Sequence, residues 1–214
     1  MTPFVRRTIH LFCIASRTHA MLERTKMSKQ LLILASNSPR RRELLEQAGI
    51  PYVSEPADVD ESVLPGEAPG AYALRLALEK AQSTAGRHSE GLVLGADTIV
   101  VVDGDIMGKP ASKEDAVRML ARLSGRSHVV MTGVALLDAA TSRAVTGLEE
   151  TSVRFREVSP DEIEDYASTG EPMDKAGAYG IQGRASVFVE GISGCFFNVV
   201  GLPLARVWKM MREI

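Results

Sequence analysis

Three consecutive arginines, Arg40 to Arg42, follow the serine-rich turn Ser36-Asn37-Ser38-Pro39 and stand at the start of an expected helix. The unpaired amides and the positive dipole end of a helix N-terminus attract phosphate, and arginine adds paired donors for phosphate oxygens. Arginine is otherwise unfavourable at this end of a helix, so its placement needs a reason. The turn therefore predicts a phosphate-binding site, with a solvated basic helix start as the alternative.

Helical geometry separates the three arginines. The apolar face of the helix is marked by Leu44, Leu45 and Ala48. Arg41 projects along that face, Arg40 flanks it, and Arg42 lies nearly opposite. We therefore expect Arg40 and Arg41 to bind a ligand and Arg42 to be solvated. The sequence has neither a Walker-type phosphate loop nor a dinucleotide-binding glycine fingerprint.

Two acidic segments could hold a metal ion. Asp97 follows the apolar run 92–96, at what we expect to be the end of a strand, where an acid is costly unless it has a partner. A bound metal or an oriented water would offset that cost. In the acidic loop 58–70, Glu61 is our candidate for a second ligand. The alternatives are a turn cap made by Asp97 through Thr98 and an acidic loop that is merely solvated.

Two lysines and one glutamine have the right types and positions to contact a nucleotide. Lys80 shares a helix row with Tyr72 and Leu76, which indicates that it reaches a cleft. Lys109 lies in a rigid Gly-Lys-Pro loop, and Gln182 lies in a glycine-rich stretch and could read the edge of a base. The alternative for Lys80 is an ordinary surface lysine paired with nearby acids, and the alternative for the glycine-rich stretch is a pair of turns in an ordinary β-region.

The pattern of apolar residues predicts the elements that position these side chains, and it is typical of an α/β protein. Helices are expected at 39–48 with Ser38 as N-cap, 71–85, 112–123, 159–169 and 203–212. Strands are expected at 31–35, 50–55, 128–137, 149–156 and 185–190, with a further strand pair at 92–95 and 98–102. A tight turn is expected at Asp103-Gly104, and 128–137 with 149–156 is expected to form a long hairpin.

Composition excludes several classes of protein. The chain has 214 residues, 45% hydrophobic and 24% charged, with a net charge of −2. That balance disfavours a general nucleic-acid binder, and no apolar run approaches the roughly 20 residues that span a bilayer. Two cysteines cannot form a disulfide framework, so we expect a reducing, cytoplasmic setting.

The first 30 residues differ from the rest, because residues 1–20 contain arginines but no acid. One interpretation is an organelle-targeting segment. We favour the other, an upstream extension of the reading frame with the working protein starting at Met21 or Met27. The segment 1–30 is therefore expected to be disordered or to reflect a mis-assigned start, and 31–214 to be the working domain.

Six ordered motifs from about Leu31 to the C-terminus resemble the signature of the Maf proteins. They are Ala35-Ser36-Asn37-Ser38-Pro39-Arg40-Arg41-Arg42-Glu43-Leu44-Leu45, Leu94-Gly95-Ala96-Asp97-Thr98, Gly108-Lys109-Pro110, His128-Val129-Val130-Met131-Thr132-Gly133-Val134, Asp174-Lys175-Ala176-Gly177-Ala178-Tyr179-Gly180-Ile181-Gln182-Gly183 and Val199-Val200-Gly201-Leu202-Pro203-Leu204. Residues 1–30 lie outside the resemblance.

The resemblance implies a mixed twisted sheet in two lobes with a central cleft, like inosine triphosphate pyrophosphatases. It implies hydrolysis of a nucleoside triphosphate to a monophosphate and pyrophosphate, aided by Mg²⁺ or Mn²⁺, and it is compatible with a homodimer. Asp97 matches the family's proposed general base. The matched cleft residues are Ser36, Arg40, Arg41, Glu61, Lys80, Lys109 and Gln182.

The identities of Arg40, Thr98 and Gln182 resemble the dTTP/UTP branch of the family. The branch that acts on 7-methyl-GTP typically has tryptophan after the proline of the first motif, where this chain has Arg40. Two alternatives stay open. One is a regulator that acts by binding a partner, since family members have been linked to arrest of cell division. The other is a pyrophosphatase that removes modified nucleotides.

Overall fold

The computed structural model describes residues 31–214, which are organised around one mixed, seven-stranded sheet. Its strands are β1 (Leu32–Leu34), β2 (Tyr52–Ser54), β3 (Leu92–Val102), β4 (Asp105–Met107), β5 (Ser127–Asp138), β6 (Ala144–Phe155) and β7 (Val189–Ser193). The main order is β2-β1-β3-β5-β6-β7. β1 runs parallel to β2 and β3, and the other pairs are antiparallel. The predicted α/β fold with a mixed sheet is confirmed.

Six α-helices and three short 3-10 turns connect the strands within the described residues. The helices are α1 (Pro39–Gln47), α2 (Pro69–Ala85), α3 (Lys113–Leu123), α4 (Pro160–Ser168), α5 (Phe196–Val200) and α6 (Leu204–Met210). The 3-10 turns are Glu171–Asp174, Ala176–Ala178 and Arg184–Phe188. None of these helices is long and apolar enough to cross a membrane.

Strand β3 is continuous over 11 residues, so the expected pair of strands at 92–95 and 98–102 is wrong. Along one of its edges β3 pairs with β1 over Leu92–Leu94 and with β4 over Val100–Val102. Asp97 and Thr98 lie in the interval between these two partners. Asp97 is therefore in the middle of a strand, neither at a strand end nor in a turn.

Helix α2 packs unusually close to the sheet, because two glycines leave room for its backbone. A Cβ on Gly95 would lie 2.0 Å from the carbonyl oxygen of Ala77, and one on Gly133 would lie 2.1 Å from that of Ala73. Gly133 is the cross-strand partner of Asp97. This close approach brings the α2 side chain of Lys80 to Asp97.

Buried residues cluster on two sides of a cavity. One cluster joins α3, α4 and the glycine-rich segment, residues 174–183, and includes Phe155 and Tyr179. Another joins β1, α1 and α6 to β3 and β5, and includes Leu45 and Val200. The cavity is lined by residues from both, such as Tyr179 and Val200. This arrangement corresponds to the expected central cleft.

Some local expectations need correction. Ser38 precedes α1, but its side chain makes no capping bond, and its backbone amide donates to the hydroxyl of Ser36. Ala48 lies after α1 and is exposed. The segment expected as a strand at 185–190 is largely a 3-10 turn, and β7 starts at Val189. The interpretations of residues 1–30 fall outside the described residues.

The Asp103-Gly104 turn and the long hairpin of β5 and β6 are confirmed.

Candidate active site

The cavity has a volume of about 890 Å³ and lies beside the part of β3 between its pairings with β1 and β4. Its wall includes the β1–α1 turn, the loop after β2, helix α2, the loop after β4 and the glycine-rich segment. The charged side chains among its lining residues are Arg40, Arg41, Glu61, Lys80, Asp97, Lys109, Glu171, Asp174 and Lys175. Five cations and four carboxylates therefore meet in one cavity large enough for a nucleotide.

Arg41 is held by three neutral oxygens. Its Nε donates to the carbonyl of Gly201 at 2.9 Å, and its Nη1 and Nη2 donate to the hydroxyls of Ser36 and Thr98, each at 3.1 Å. It forms no ion pair with any residue from 31 to 214. Burial lowers the pKa of the guanidinium, against the opposing charge of Asp97. A partly buried cation without a carboxylate partner among these residues is suited to receive an anionic ligand.

Arg40 crosses the cavity to the glycine-rich segment. Its Nη1 lies 2.9 Å from Oδ2 of Asp174, whose Oδ1 accepts a hydrogen bond from Lys175 at 2.6 Å. Burial would raise the pKa of Asp174, but the hydrogen bonds from Lys175 and Arg40 outweigh it and the pKa is lowered. Arg42, in contrast, donates to the carbonyl of Asn37 and is not among the residues that line the cavity.

Lys80 bridges two carboxylates. Its Nζ lies 2.6 Å from Oε1 of Glu61 and 2.7 Å from Oδ1 of Asp97. Lys80 and Asp97 are buried, whereas the side chain of Glu61 is 51% exposed. Partial burial would raise the pKa of Glu61, but the hydrogen bond and charge of Lys80, with Lys109 and Arg41, lower it below its usual value. The two acids that the sequence pointed to are therefore adjacent, with an ammonium group between them.

These two acids fit a metal that takes most of its ligands from elsewhere. No group of three or more His, Cys, Asp or Glu side chains within residues 31–214 could hold a metal by itself. Mg²⁺ is commonly bound by one or two carboxylates, with water and substrate phosphates completing the octahedron. Oδ2 of Asp97 and Oε2 of Glu61 have no hydrogen-bond donor in the described part of the chain and could serve as such ligands.

The structure brings the remaining candidate residues to the same cavity. Ser36 is buried and its hydroxyl accepts from Ser38 and Arg41. Thr98 contacts Arg41 and its cross-strand partner Thr132. Lys109 and Gln182 are exposed on the wall. Every site residue singled out from the sequence thus lines one cavity.

Sequence reasoning did not assign a role in the site to four contributors. Lys175 and Asp174 stand at the start of the glycine-rich segment, but nothing local indicates that Asp174 pairs with Arg40, 134 positions away. Tyr72, noted only for its helix row, donates to the backbone carbonyl of Glu61 at 2.7 Å. The fourth is the backbone carbonyl of Gly201, which residue types do not reveal because every residue has a carbonyl.

The fold and the site together define an α/β protein with a cation-lined cavity that contains a buried carboxylate. Residues 31–214 match the family described as Maf-like protein, and the chain belongs to this family.

Two relatives named dTTP/UTP pyrophosphatase are each 54% identical. The relative from Symbiobacterium thermophilum aligns over 86% of this chain and 94% of its own length, and that from Syntrophomonas wolfei over 83% and 94%. A third of the same name, from Moorella thermoacetica, is 52% identical over 86% of this chain and 94% of its own length. Among solved structures, that of the Staphylococcus aureus Ham1 protein aligns with a TM-score of 0.43 and 15% identity, over 59% of this chain and 72% of that chain.

Proposed function

We propose that this protein hydrolyses dTTP and UTP to the monophosphate and pyrophosphate. The observation that carries the proposal is the enclosure of the buried Asp97 and five cationic side chains in one cavity. The names of relatives that are about half identical over most of both chains support the same reaction and the same substrates. A module that only binds a partner has no need of a buried carboxylate beside so many cations.

The triphosphate is bound by the cations of the β1–α1 turn and the facing wall. Arg40 and Arg41 supply paired donors from the turn, and Lys80 and Lys109 act as point charges from α2 and the loop after β4. Their charges also stabilise the pyrophosphate as it leaves. In phosphoryl transfer such positioning and charge stabilisation provide most of the catalysis.

Glu61 and Asp97 would hold a divalent cation, Mg²⁺ or Mn²⁺, together with phosphate oxygens of the substrate. Such an ion would neutralise phosphate charge and lower the pKa of a water bound to it. Tyr72 fixes the backbone of Glu61, and Lys80 fixes Oδ1 of Asp97, so both acids are orientated before the ligand arrives.

Asp97 acts on the attacking water. Lys80 occupies Oδ1. Oδ2 has two lone pairs, so beside a metal ion it can also accept a hydrogen bond from a water and orientate that water towards the α-phosphorus, in line with the leaving pyrophosphate. Asp97 then takes the proton of this water. Cleavage of the bond between the α- and β-phosphates releases the nucleoside monophosphate.

Arg40, Thr98 and Gln182 set the choice of base. Gln182 has both a donor and an acceptor on the exposed wall and can pair with the edge of a pyrimidine. Arg40 occupies the position where the 7-methyl-GTP branch typically has tryptophan, so we assign the chain to the dTTP/UTP branch. Modified pyrimidine nucleotides belong to the same substrate class. We place the protein in the cytoplasm and expect a homodimer.

The test is release of pyrophosphate from a panel of nucleoside triphosphates, with Mg²⁺, Mn²⁺ or a chelator, for wild type and Asp97→Asn. We expect metal-dependent cleavage of dTTP and UTP, and a fall in kcat of about 10²–10⁴-fold in the variant, the usual contribution of a general base. Near-normal turnover of Asp97→Asn would refute its role. Cleavage confined to 7-methyl-GTP or purines would overturn the substrates, and no cleavage at all would favour a regulator.

A further inference from the structure

A buried asparagine attaches the short helix α5 to the sheet. Asn198 is fully buried, and its Nδ2 donates to the carbonyl of Val130 on β5 at 3.0 Å and to the hydroxyl of Thr151 on β6 at 2.9 Å. Its Oδ1 has no partner in the described part of the chain. The two amide hydrogens therefore account for the hydrogen bonds of this side chain.

The hydroxyl of Thr151 uses its full bonding capacity at the start of α5. It accepts from Nδ2 of Asn198 and from the backbone amide of Cys195 at 3.0 Å, and it donates to the carbonyl of Cys195 at 3.2 Å. One donor and two acceptor positions are all that a hydroxyl offers. The first turn of α5 is thus fixed to β6 through Thr151 and to β5 through Val130.

The other end of α5 points at the active site. The C-cap residue that follows α5 is Gly201, which has φ of +124°, a conformation that side-chain-bearing residues rarely adopt. The carbonyl of Gly201 accepts from Nε of Arg41 at 2.9 Å. In addition, the carbonyl of Asn198 accepts from Thr132, whose hydroxyl lies 3.0 Å from that of Thr98, another partner of Arg41.

We propose that Asn198 is a positioning residue for Arg41, acting through α5 and the carbonyl of Gly201. Among residues 31–214 Arg41 has no carboxylate partner, so its orientation depends on neutral acceptors. The C-cap of α5, Gly201, supplies one of them, and α5 supports a second. Asn198 does not line the cavity and cannot touch a ligand there. The inference rests on the proposed function in one respect, that Arg41 binds the phosphates of the substrate.

Thr151 allows a test that keeps the shape of the core. Thr151→Val removes the hydroxyl and keeps the volume, whereas Thr151→Ser keeps the hydroxyl and removes a methyl group. Asn198→Leu removes the amide donors directly. We expect Thr151→Val and Asn198→Leu to weaken binding of inorganic tripolyphosphate, measured by calorimetry, and to lower kcat/KM for dTTP, each by about tenfold. Thr151→Ser should restore both, while thermal melting reports loss of stability separately.

A double-mutant cycle with Arg41→Lys shows whether the effect passes through Arg41. A lysine cannot reproduce the three-way contact, so Thr151→Val should change kcat/KM by less than about twofold in that background. Equal losses in both backgrounds, or equal behaviour of Thr151→Val and Thr151→Ser, would overturn the proposal. If the wild type cleaved no triphosphate, the proposed function would fail, but the tripolyphosphate affinities would still decide the role of Asn198.

Discussion

Arg41 and Arg42 are neighbours in sequence whose surroundings differ completely. The side chain of Arg41 donates to three acceptors at the cavity, whereas that of Arg42 donates to the carbonyl of Asn37 in the same turn. The helical period of α1 is enough to separate the two, because one residue further along a helix turns the side chain by about 100°. The separation provides a matched pair for testing the phosphate site.

We predict that Arg41→Ala lowers kcat/KM for dTTP by about 100-fold, while Arg42→Ala changes it by less than about twofold. Hydrogen bonds to charged groups contribute about 1.5–3 kcal/mol, and the larger value corresponds to roughly 100-fold. Steady-state hydrolysis of both variants, with circular dichroism to check folding, is the measurement. Similar losses in the two variants would mean that the turn contributes only general positive charge.

Lys80 determines the charge balance between Glu61 and Asp97. Replacing it by glutamine leaves two carboxylates without their shared cation, so the pKa of Glu61 should rise and the pair should bind a divalent cation more tightly. We expect Lys80→Gln to bind Mg²⁺ about tenfold more tightly without nucleotide and to hydrolyse dTTP more slowly, because a phosphate ligand is lost. Calorimetric titration with Mg²⁺ and a rate assay measure the two effects.

Lys80→Arg keeps the charge and is the control. An unchanged Mg²⁺ affinity in Lys80→Gln would show that the two acids do not form the metal site.

At the scale of elements, the position of the site depends on how close α2 lies to β3 and β5. Gly133→Ala places a methyl group about 2.1 Å from the carbonyl of Ala73, so α2 must move away and carry Lys80 from Asp97. Overpacking of this kind costs about 1–3 kcal/mol. We predict a lower free energy of unfolding together with a loss of activity that exceeds any change caused by alanine at a control glycine.

Gly86 is that control, since it ends α2 with an ordinary helical φ of −60° and a Cβ there would have no neighbour closer than 3.7 Å. Gly86→Ala should have a free energy of unfolding in urea and a hydrolysis rate close to those of the wild type. Full activity in Gly133→Ala would mean that the position of Lys80 does not depend on this contact.

The element scale also shows where sequence reasoning succeeds and where it stops. Period and capping signals predict most of the helices, because Ser159 and Glu162 form the capping box of α4 and Ser112 caps α3. The expected cap Ser38 makes no capping bond, and α5 is not predicted. The segment Gly95-Ala96-Asp97 resembles a break between two strands, yet Gly95 is present because α2 lies against it. The sequence alone does not distinguish a glycine that is required by close packing of a helix from one that is required by a turn.

At the scale of the whole molecule, the net charge is −2, yet five cationic side chains line one cavity. The sequence indicates which residues line the cavity, because they lie in short local motifs. It could not indicate contacts such as Arg40 with Asp174 or Arg41 with Gly201, since these depend on how distant segments are folded together. Long-range pairing is therefore the part of the site that required the structure.

His128 links the stability of the whole fold to pH. It is 2% exposed between Phe155 and Tyr179, its Nε2 lies 2.7 Å from the hydroxyl of Tyr179, and its Nδ1 has no partner among the described residues. Burial lowers the pKa of His128 from 6.5 to about 4 in the folded protein. The folded state therefore favours the neutral ring, while the unfolded chain takes up a proton as the pH falls below 6.5.

The stabilisation from a neutral His128 is complete above pH 6.5 and is lost progressively as the pH falls towards 4. One pKa unit corresponds to about 1.4 kcal/mol, so the wild type should lose about 2.5 kcal/mol between pH 7.5 and 4.5 through this residue. His128→Gln can still bond to Tyr179 but does not titrate. Urea unfolding at the two pH values should show a smaller loss in the variant by about that amount, after the carboxylates common to both proteins cancel. An equal loss in both proteins would mean that His128 is accessible to protons in the folded state.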